Sequence, residues 1–139
     1  MKVVTPSYNP VIPFYVGTGG IAKGQLAMLS SDTAIDATEG ASTAIYIGIA
    51  QDDYNAGVVG YFDDLRGALV ELPIYQGGST DVFAASDIGK AFDIYVDGST
   101  GVMYVDPNDT TGAVVVVQAY NNAAQTAIVR FISAVCYLA

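Results

Sequence analysis

Fifteen glycines and five prolines cut this chain of 139 residues into short runs rich in Val, Ile, Tyr and Phe. That punctuation leaves little room for a helix to propagate, and it matches the spacing of strands and turns in a sandwich or barrel. The chain has the length of one domain and predicts an all-β fold. A single helical turn is expected near Ala84, Ala85, Ser86 and Asp87.

Two hairpins stand out. In the first, residues 56–62 lead through the turn Asp63-Asp64-Leu65-Arg66-Gly67 into residues 68–75. There Val70, Leu72 and Ile74 share one face, and Glu71, Pro73 and Tyr75 the other. Pro73 has no N–H to donate, which predicts an edge strand. In the second, residues 114–120 turn at 121–125 and return from Thr126 to Leu138 as one long strand or a bent pair, and the low charge predicts burial on both faces. Between the hairpins, residues 92–96 and 102–105 read as two strands around the loop Asp97-Gly98-Ser99-Thr100-Gly101. Residues 76–80 read as a further loop.

The first twenty residues differ from the rest. Pro6, Pro10 and Pro13 hold the backbone extended, and Tyr8, Val11, Ile12, Phe14 and Tyr15 carry large apolar side chains. We read residues 1–20 as an extended N-terminal arm and 21–139 as a single β domain. Such an arm packs either along its own domain or on a neighbouring subunit. Pro6, Tyr8, Pro10, Val11, Ile12, Phe14 and Tyr15 are therefore the candidate contacts with a subunit or another partner. There is also an internal echo: residues 23–29 followed by 45–51 resemble residues 89–95 followed by 114–119, a spacing that two similar halves would produce.

The chemistry available is sparse. The chain is 52% hydrophobic, holds no histidine, and has one cysteine. An enzyme without histidine has to use carboxylates, hydroxyls, lysine or a cofactor. The pairs Asp52-Asp53 and Asp63-Asp64 are the nearest approach to a carboxylate dyad, but neighbours on a strand point to opposite faces, and both pairs read as solvated turn residues. Asp106, Asn108 and Asp109 are dense in oxygen ligands, making them weak metal candidates without the distal glutamate of a calcium loop. Asn108-Asp109-Thr110 also matches a glycosylation acceptor, which has meaning only for a chain secreted through a eukaryotic pathway. Zinc clusters, phosphate loops and nucleophile elbows have no counterpart in the sequence. No catalytic residue, metal or cofactor is expected. Cys136, in an apolar run, reads as a packed side chain.

Fourteen acids against five bases give a net charge of -9. Lys2, Lys23, Arg66, Lys90 and Arg130 are scattered singly, which argues against nucleic acid as a partner. Met1-Lys2-Val3-Val4-Thr5-Pro6 lacks the apolar stretch of a signal peptide. Residues 110–129 are uncharged but interrupted by Gln118, Asn121, Asn122 and Gln125, so neither a targeting segment nor a membrane span is expected.

Four runs carry a family resemblance: Gly19-Gly20-Ile21-Ala22-Lys23-Gly24-Gln25-Leu26, Ile47-Gly48-Ile49-Ala50-Gln51-Asp52, Gly57-Val58-Val59, and Gly67-Ala68-Leu69-Val70-Glu71. Together they resemble tailed-bacteriophage capsid decoration proteins, also called cement or head-stabilising proteins. The resemblance covers residues 19–72 well and 87–96 loosely. It implies a small β-sandwich or β-tulip domain that trimerises on the outer surface of a virion, bound to the major capsid protein, often with an extended N-terminal arm. An acidic exterior is compatible with a place away from packaged DNA. A second expectation from the residues is a carbohydrate-binding or adhesin-like β domain, with Tyr54 and Tyr61 stacking on sugars beside Asp52 and Asp53. A third is a carboxylate-based hydrolase, which requires two acids facing each other across a pocket.

Overall fold

The computed structural model describes residues 2–5, 11–37, 45–77, 81–132 and 135–137. The fold is all-β. Twelve strands form two five-stranded sheets and one two-stranded ribbon, with all ladder pairings antiparallel: β1 Lys2–Thr5, β2 Ile12–Tyr15, β3 Leu26–Ser30, β4 Thr33–Asp36, β5 Tyr46–Ala50, β6 Val59–Asp63, β7 Leu69–Pro73, β8 Ala91–Phe92, β9 Ile94–Val96, β10 Met103–Val105, β11 Val115–Asn121 and β12 Thr126–Phe131. One sheet runs β1-β7-β12-β11-β8, the other β2-β6-β5-β3-β4, and the ribbon is β9-β10. A 3-10 turn, Ala85–Asp87, stands where sequence reading expects it. No helix among them is long and apolar enough to cross a membrane.

Four strands of one sheet repeat four strands of the other. In the first, Ile12 faces Phe62 and Tyr15 faces Val59; in the second, Val70 faces Val129 and Pro73 faces Thr126. Ile49 and Ala50 pair with Asp63 and Phe62, as Val116 and Val117 pair with Arg130 and Val129. The strands β2, β6, β5 and β3 thus correspond in order and register to β7, β12, β11 and β8. Turns obey the same correspondence. Gly24 donates to the Ala50 carbonyl and Ala50 to that of Gln25, both at 2.9 Å; Gly89 donates to Val117 at 2.8 Å and Val117 to Lys90 at 3.1 Å. Gly24 and Gly89 both sit at positive φ, +81° and +85°, a conformation that glycine adopts without a Cβ penalty. The β9-β10 ribbon continues the match. It pairs Ile94 with Val105 and Tyr95 with Tyr104 as the β3-β4 hairpin pairs Leu29 with Ala34 and Ser30 with Thr33. The echo in the sequence is therefore a structural repeat. Its second copy is broken at Asp93, a buried acid whose Oδ1 accepts the Ile94 N–H at 2.8 Å.

Packing explains why the repeat is faint in sequence. The core of the first half contains Ile12, Val16, Ala27, Ala34, Ala50 and Phe62, and the matching positions in the second half are Val70, Ile74, Phe92, Val105, Val117 and Val129. All are buried. The bulk of an aromatic ring is carried by Phe62 on β6 in one half and by Phe92 on β8 in the other, so cores of similar content are filled by different letters. The second core also takes in Leu26, Tyr46, Ile49 and Leu65 from the first half. Strand β5 consequently lies between the two cores, and all five of its residues are buried.

Three expectations need correction. The segment 56–75 is not a hairpin: β6 pairs with β2 and β5, β7 pairs with β1 and β12, and residues 64–68 form a corner between sheets. Leu65 and Asp64 are buried there, which a solvent-exposed hairpin turn would not allow. Strand β7 is not an edge. Pro73 is tolerated because β1 reaches only Leu69, Val70 and Glu71, leaving the proline nitrogen beyond the last ladder partner on that side. The β11-β12 hairpin is present, with a bulge between Val117 and Ala119, but it is buried on one face only: Val115, Val117, Ala127, Val129 and Phe131 are inside, and Gln118, Ala119 and Arg130 are exposed.

The N-terminal residues are extended, and their described parts run along their own domain, β1 on the edge of β7 and β2 on the edge of β6. Among the described residues, the outer edge of β2, which corresponds to the edge of β7 covered by β1, carries no ladder partner from Ile12 to Tyr15, and just beyond it Gly17 donates to the Ala34 carbonyl of β4. Val16 donates to the Val58 carbonyl at 2.8 Å, so strand alternation turns Ile12 and Phe14 toward β6 and Pro13 toward that open edge.

Phe62 is fully buried at the centre of the smaller core. The variant Phe62→Ala should lose about 3–5 kcal/mol of stability in urea melts, with one cooperative transition retained; a loss below about 1 kcal/mol would show that the first half is not packed as described.

Candidate functional surfaces

The carboxylate pairs are engaged by backbone N–H groups and by neighbouring side chains. Asp52 Oδ1 accepts the Asp53 N–H and Asp53 Oδ1 accepts the Lys23 N–H, each at 2.8 Å. Asp63 Oδ1 accepts from the Gln51 amide at 2.8 Å. Asp64 departs from its expected role as a solvated turn residue: it is buried at the sheet corner and holds Arg66, Nε to Oδ2 at 3.3 Å. Removing the Asp64 carboxylate from water is costly unless it is paired, and the partly exposed Arg66 supplies the opposite charge at the corner.

Asp106 and Asp109 also serve turns, accepting the N–H groups of Asn108 and Thr111 at 2.9 Å. Asn108 offers its backbone N–H to Asp106, and the three residues form a solvated loop. Among the described residues no group of three histidines, cysteines or acids is placed to hold a metal ion.

Cys136 is buried, and its thiol donates to the Ile132 carbonyl at 3.5 Å. Beside it Tyr46 is fully buried with no hydrogen-bond partner for its hydroxyl. Burial, reinforced by the Asp64 carboxylate and opposed by Arg66, pushes the thiol up to about 11. Burial, with the Asp93 carboxylate adding to it, pushes the Tyr46 hydroxyl well above the usual phenol range. Both groups are held in their neutral forms and are poor nucleophiles.

The expected contact residues divide. Pro6, Tyr8 and Pro10 lie outside the described residues. Ile12 belongs to the core of its own domain and cannot face a partner, because the side of β2 it occupies covers Phe62. Phe14 is half-buried and packs edge-on against Tyr137, ring centres 5.2 Å apart. Val11 and Tyr15 are exposed, and with Pro13 they line the outer side of β2. Across the ladder Pro13 faces Tyr61 and Tyr15 faces Val59. Tyr15 and Val59 are each 52% accessible and Tyr61 48%. These cross-strand neighbours share one face, which makes the outside of the β2-β6 pair an exposed apolar surface. Val59 and Tyr61 were absent from the expected contacts because their exposure follows from register, which the sequence does not display.

Tyr54, expected beside Tyr61 as a sugar platform, is engaged elsewhere. Its ring leans on Phe62 at 5.8 Å and its hydroxyl donates to the Tyr61 carbonyl at 3.2 Å. A different aromatic group went unread. Tyr75 stacks on Tyr95, centres 4.0 Å apart and planes 21° apart, and Tyr104 meets Tyr75 edge-on at 5.8 Å. Tyr95 and Tyr104 are partners across the β9-β10 ribbon, and Tyr75 joins them where the ribbon reaches the end of β7; aligning the two halves is the signal that brings all three into view.

No family model matches this chain, and neither does any curated protein.

Titration of the buried thiol has a definite sign. Cys136 has a higher pKa folded than unfolded, so the native state holds its proton longer; the contribution is complete below pH 9 and is lost as pH rises toward 11. Urea melts from pH 8 to 11 should show stability falling by at least about 2 kcal/mol across that window, with Tyr46 adding to the fall above pH 10, and Cys136→Ala should make the fall shallower, most of all between pH 9 and 10. Tyr46→Phe, which removes an unpartnered hydroxyl, should gain about 1 kcal/mol at neutral pH; a loss of that size would mean the hydroxyl is hydrogen-bonded.

Proposed function

We propose that this protein is a non-enzymatic decoration protein of a bacteriophage capsid, a homotrimer that sits on the outside of the shell and stabilises it through contacts with the major capsid protein. The observation that carries the reading is the apolar outer face of β2 and β6, built from Val11, Pro13, Tyr15, Val59 and Tyr61. A surface of this kind on an acidic protein is the usual mark of an interface. The family resemblance supplies the partner. Its glycines fall where the fold demands them: Gly24 opens β3, Gly57 precedes β6 and Gly67 ends the sheet corner, all at positive φ.

The mechanism is binding alone. A trimer presents the same face three times, so once one copy is seated the others dock at high effective concentration, and modest contacts add to strong avidity. Added contact across the joints of a shell slows its opening without any reaction. The charge of -9 opposes non-specific attachment to nucleic acid and keeps unbound protein dispersed.

Light scattering should give three times the chain mass, and the protein should raise the rupture temperature of shells of the phage that encodes it when they are prepared without it. Tyr61→Arg combined with Val59→Asp should weaken trimer formation or shell binding by roughly tenfold or more while the melting temperature of the domain holds. A strict monomer that leaves the shells unchanged would refute the reading.

A further inference from the structure

We propose that the cleft formed by Tyr75, Tyr95 and Tyr104 binds a neutral saccharide. The internal repeat provides the argument, because it shows what the fold itself requires at these positions. Gly17 donates to Ala34 at 2.8 Å as Tyr75 donates to Val105 at 2.9 Å, and Ser30 pairs with Thr33 as Tyr95 pairs with Tyr104. The three tyrosines therefore stand where the first half has glycine, serine and threonine. In that half the junction closes tightly with small residues, since a Cβ on Gly17 would collide with the Thr33 hydroxyl. An identical backbone junction needs no aromatic ring. All three rings in the second half are only partly buried.

What they create is a cleft of about 560 Å³, whose lining also includes Pro73, Asp97, Gln125 and Thr126. That volume lies within the range of small-ligand sites, roughly 300–1,000 Å³. Its polar groups are held in place. Asp97 Oδ1 is anchored by the N–H groups of Ser99 at 2.8 Å and Thr100 at 3.2 Å. Gln76 is tied in both directions to the backbone of Asp81 at 2.9 Å. Flat rings that accept the C–H face of a pyranose, beside fixed carboxylate and amide groups that bind its hydroxyls, are the combination a sugar needs.

The same geometry argues against other ligands. Tyr75 and Tyr95 are stacked at 4.0 Å, which leaves no gap between them for a quaternary ammonium, so the rings form a platform and not a cage. Among the described residues no lysine or arginine lines the cleft, and Asp97 together with the net charge repels an anionic glycan.

The chain has no tryptophan, so tyrosine emission, together with saturation-transfer NMR, reports on the rings directly. The 139-residue chain would be titrated with maltotetraose, cellotetraose, tetra-N-acetylchitotetraose and choline. Saturable binding of at least one saccharide is expected. The variant Tyr75→Gly/Tyr95→Ser/Tyr104→Thr, which installs the residues of the first half, should weaken it at least tenfold while the number of chains per oligomer and shell binding stay unchanged. If that variant does not fold, Tyr95→Ser is read in its place, with Tyr95→Phe restoring the affinity. Absence of saturable binding to all three saccharides, binding that survives the substitutions, or saturation by choline alone would overturn the proposal. A fall in oligomer mass in the substituted protein would overturn it too, by showing that a second copy fills the cleft. Because the shell assay is separate, failure here leaves the decoration reading standing, and the reverse holds equally.

Discussion

Each half of this chain folds one small antiparallel sheet, and a sheet of four or five short strands has too little apolar surface to be stable unless something covers it. The constraint that organises the molecule is that the first half covers its sheet twice. Residues such as Phe62 and Ala27 bury one side in a local core, while Leu26, Tyr46 and Ile49 bury the other against the second half. Strand β5 takes the middle position. The corner at Asp64 and Arg66 follows from this, because the chain has to leave one sheet and enter the other through protein interior, and a polar backbone bend there needs a charge pair to hold it. The second half has no third unit to complete it, and the outside of its β11-β12 hairpin accordingly carries Gln118, Ala119 and Arg130 in solvent.

The strand-rich class, the helical turn, the β11-β12 hairpin and the repeat were legible because each depends on local pattern: alternation, glycine at a positive-φ turn, or a short β-branched run. Strand partnership was not. The run from Ala56 to Tyr75 carries every local sign of a hairpin, yet the signs are the same whether two strands pair with each other or diverge into separate sheets. What separates them is the burial of Leu65 and Asp64, a tertiary fact. Register was hidden for a similar reason. Tyr61 and Phe62 are adjacent aromatics, and only their pairing with Pro13 and Ile12 decides that one is exposed and the other is core.

Polar groups that the sequence offers as chemistry are absorbed by architecture. Asp53 ties the β3 entry turn to the β5 exit, Asp87 caps the 3-10 turn through the Ala84 N–H at 2.8 Å, and Asp93 marks the break between β8 and β9. An acid-rich loop protein of this kind uses carboxylates where backbone N–H groups lack ladder partners. The tyrosines are the exception, since the repeat shows that the fold does without them.

The open edge of β2 has a consequence for a crowded molecule. Its counterpart β7 accepts β1 opposite Glu71, and a strand offered in that register to β2 would meet Pro13, which has no N–H to give. Sheet growth from chain to chain across this edge, a first step toward fibres, is interrupted at its first rung. Copies of this protein that met along β2 could therefore press their side chains together while the backbones at that edge stay separate.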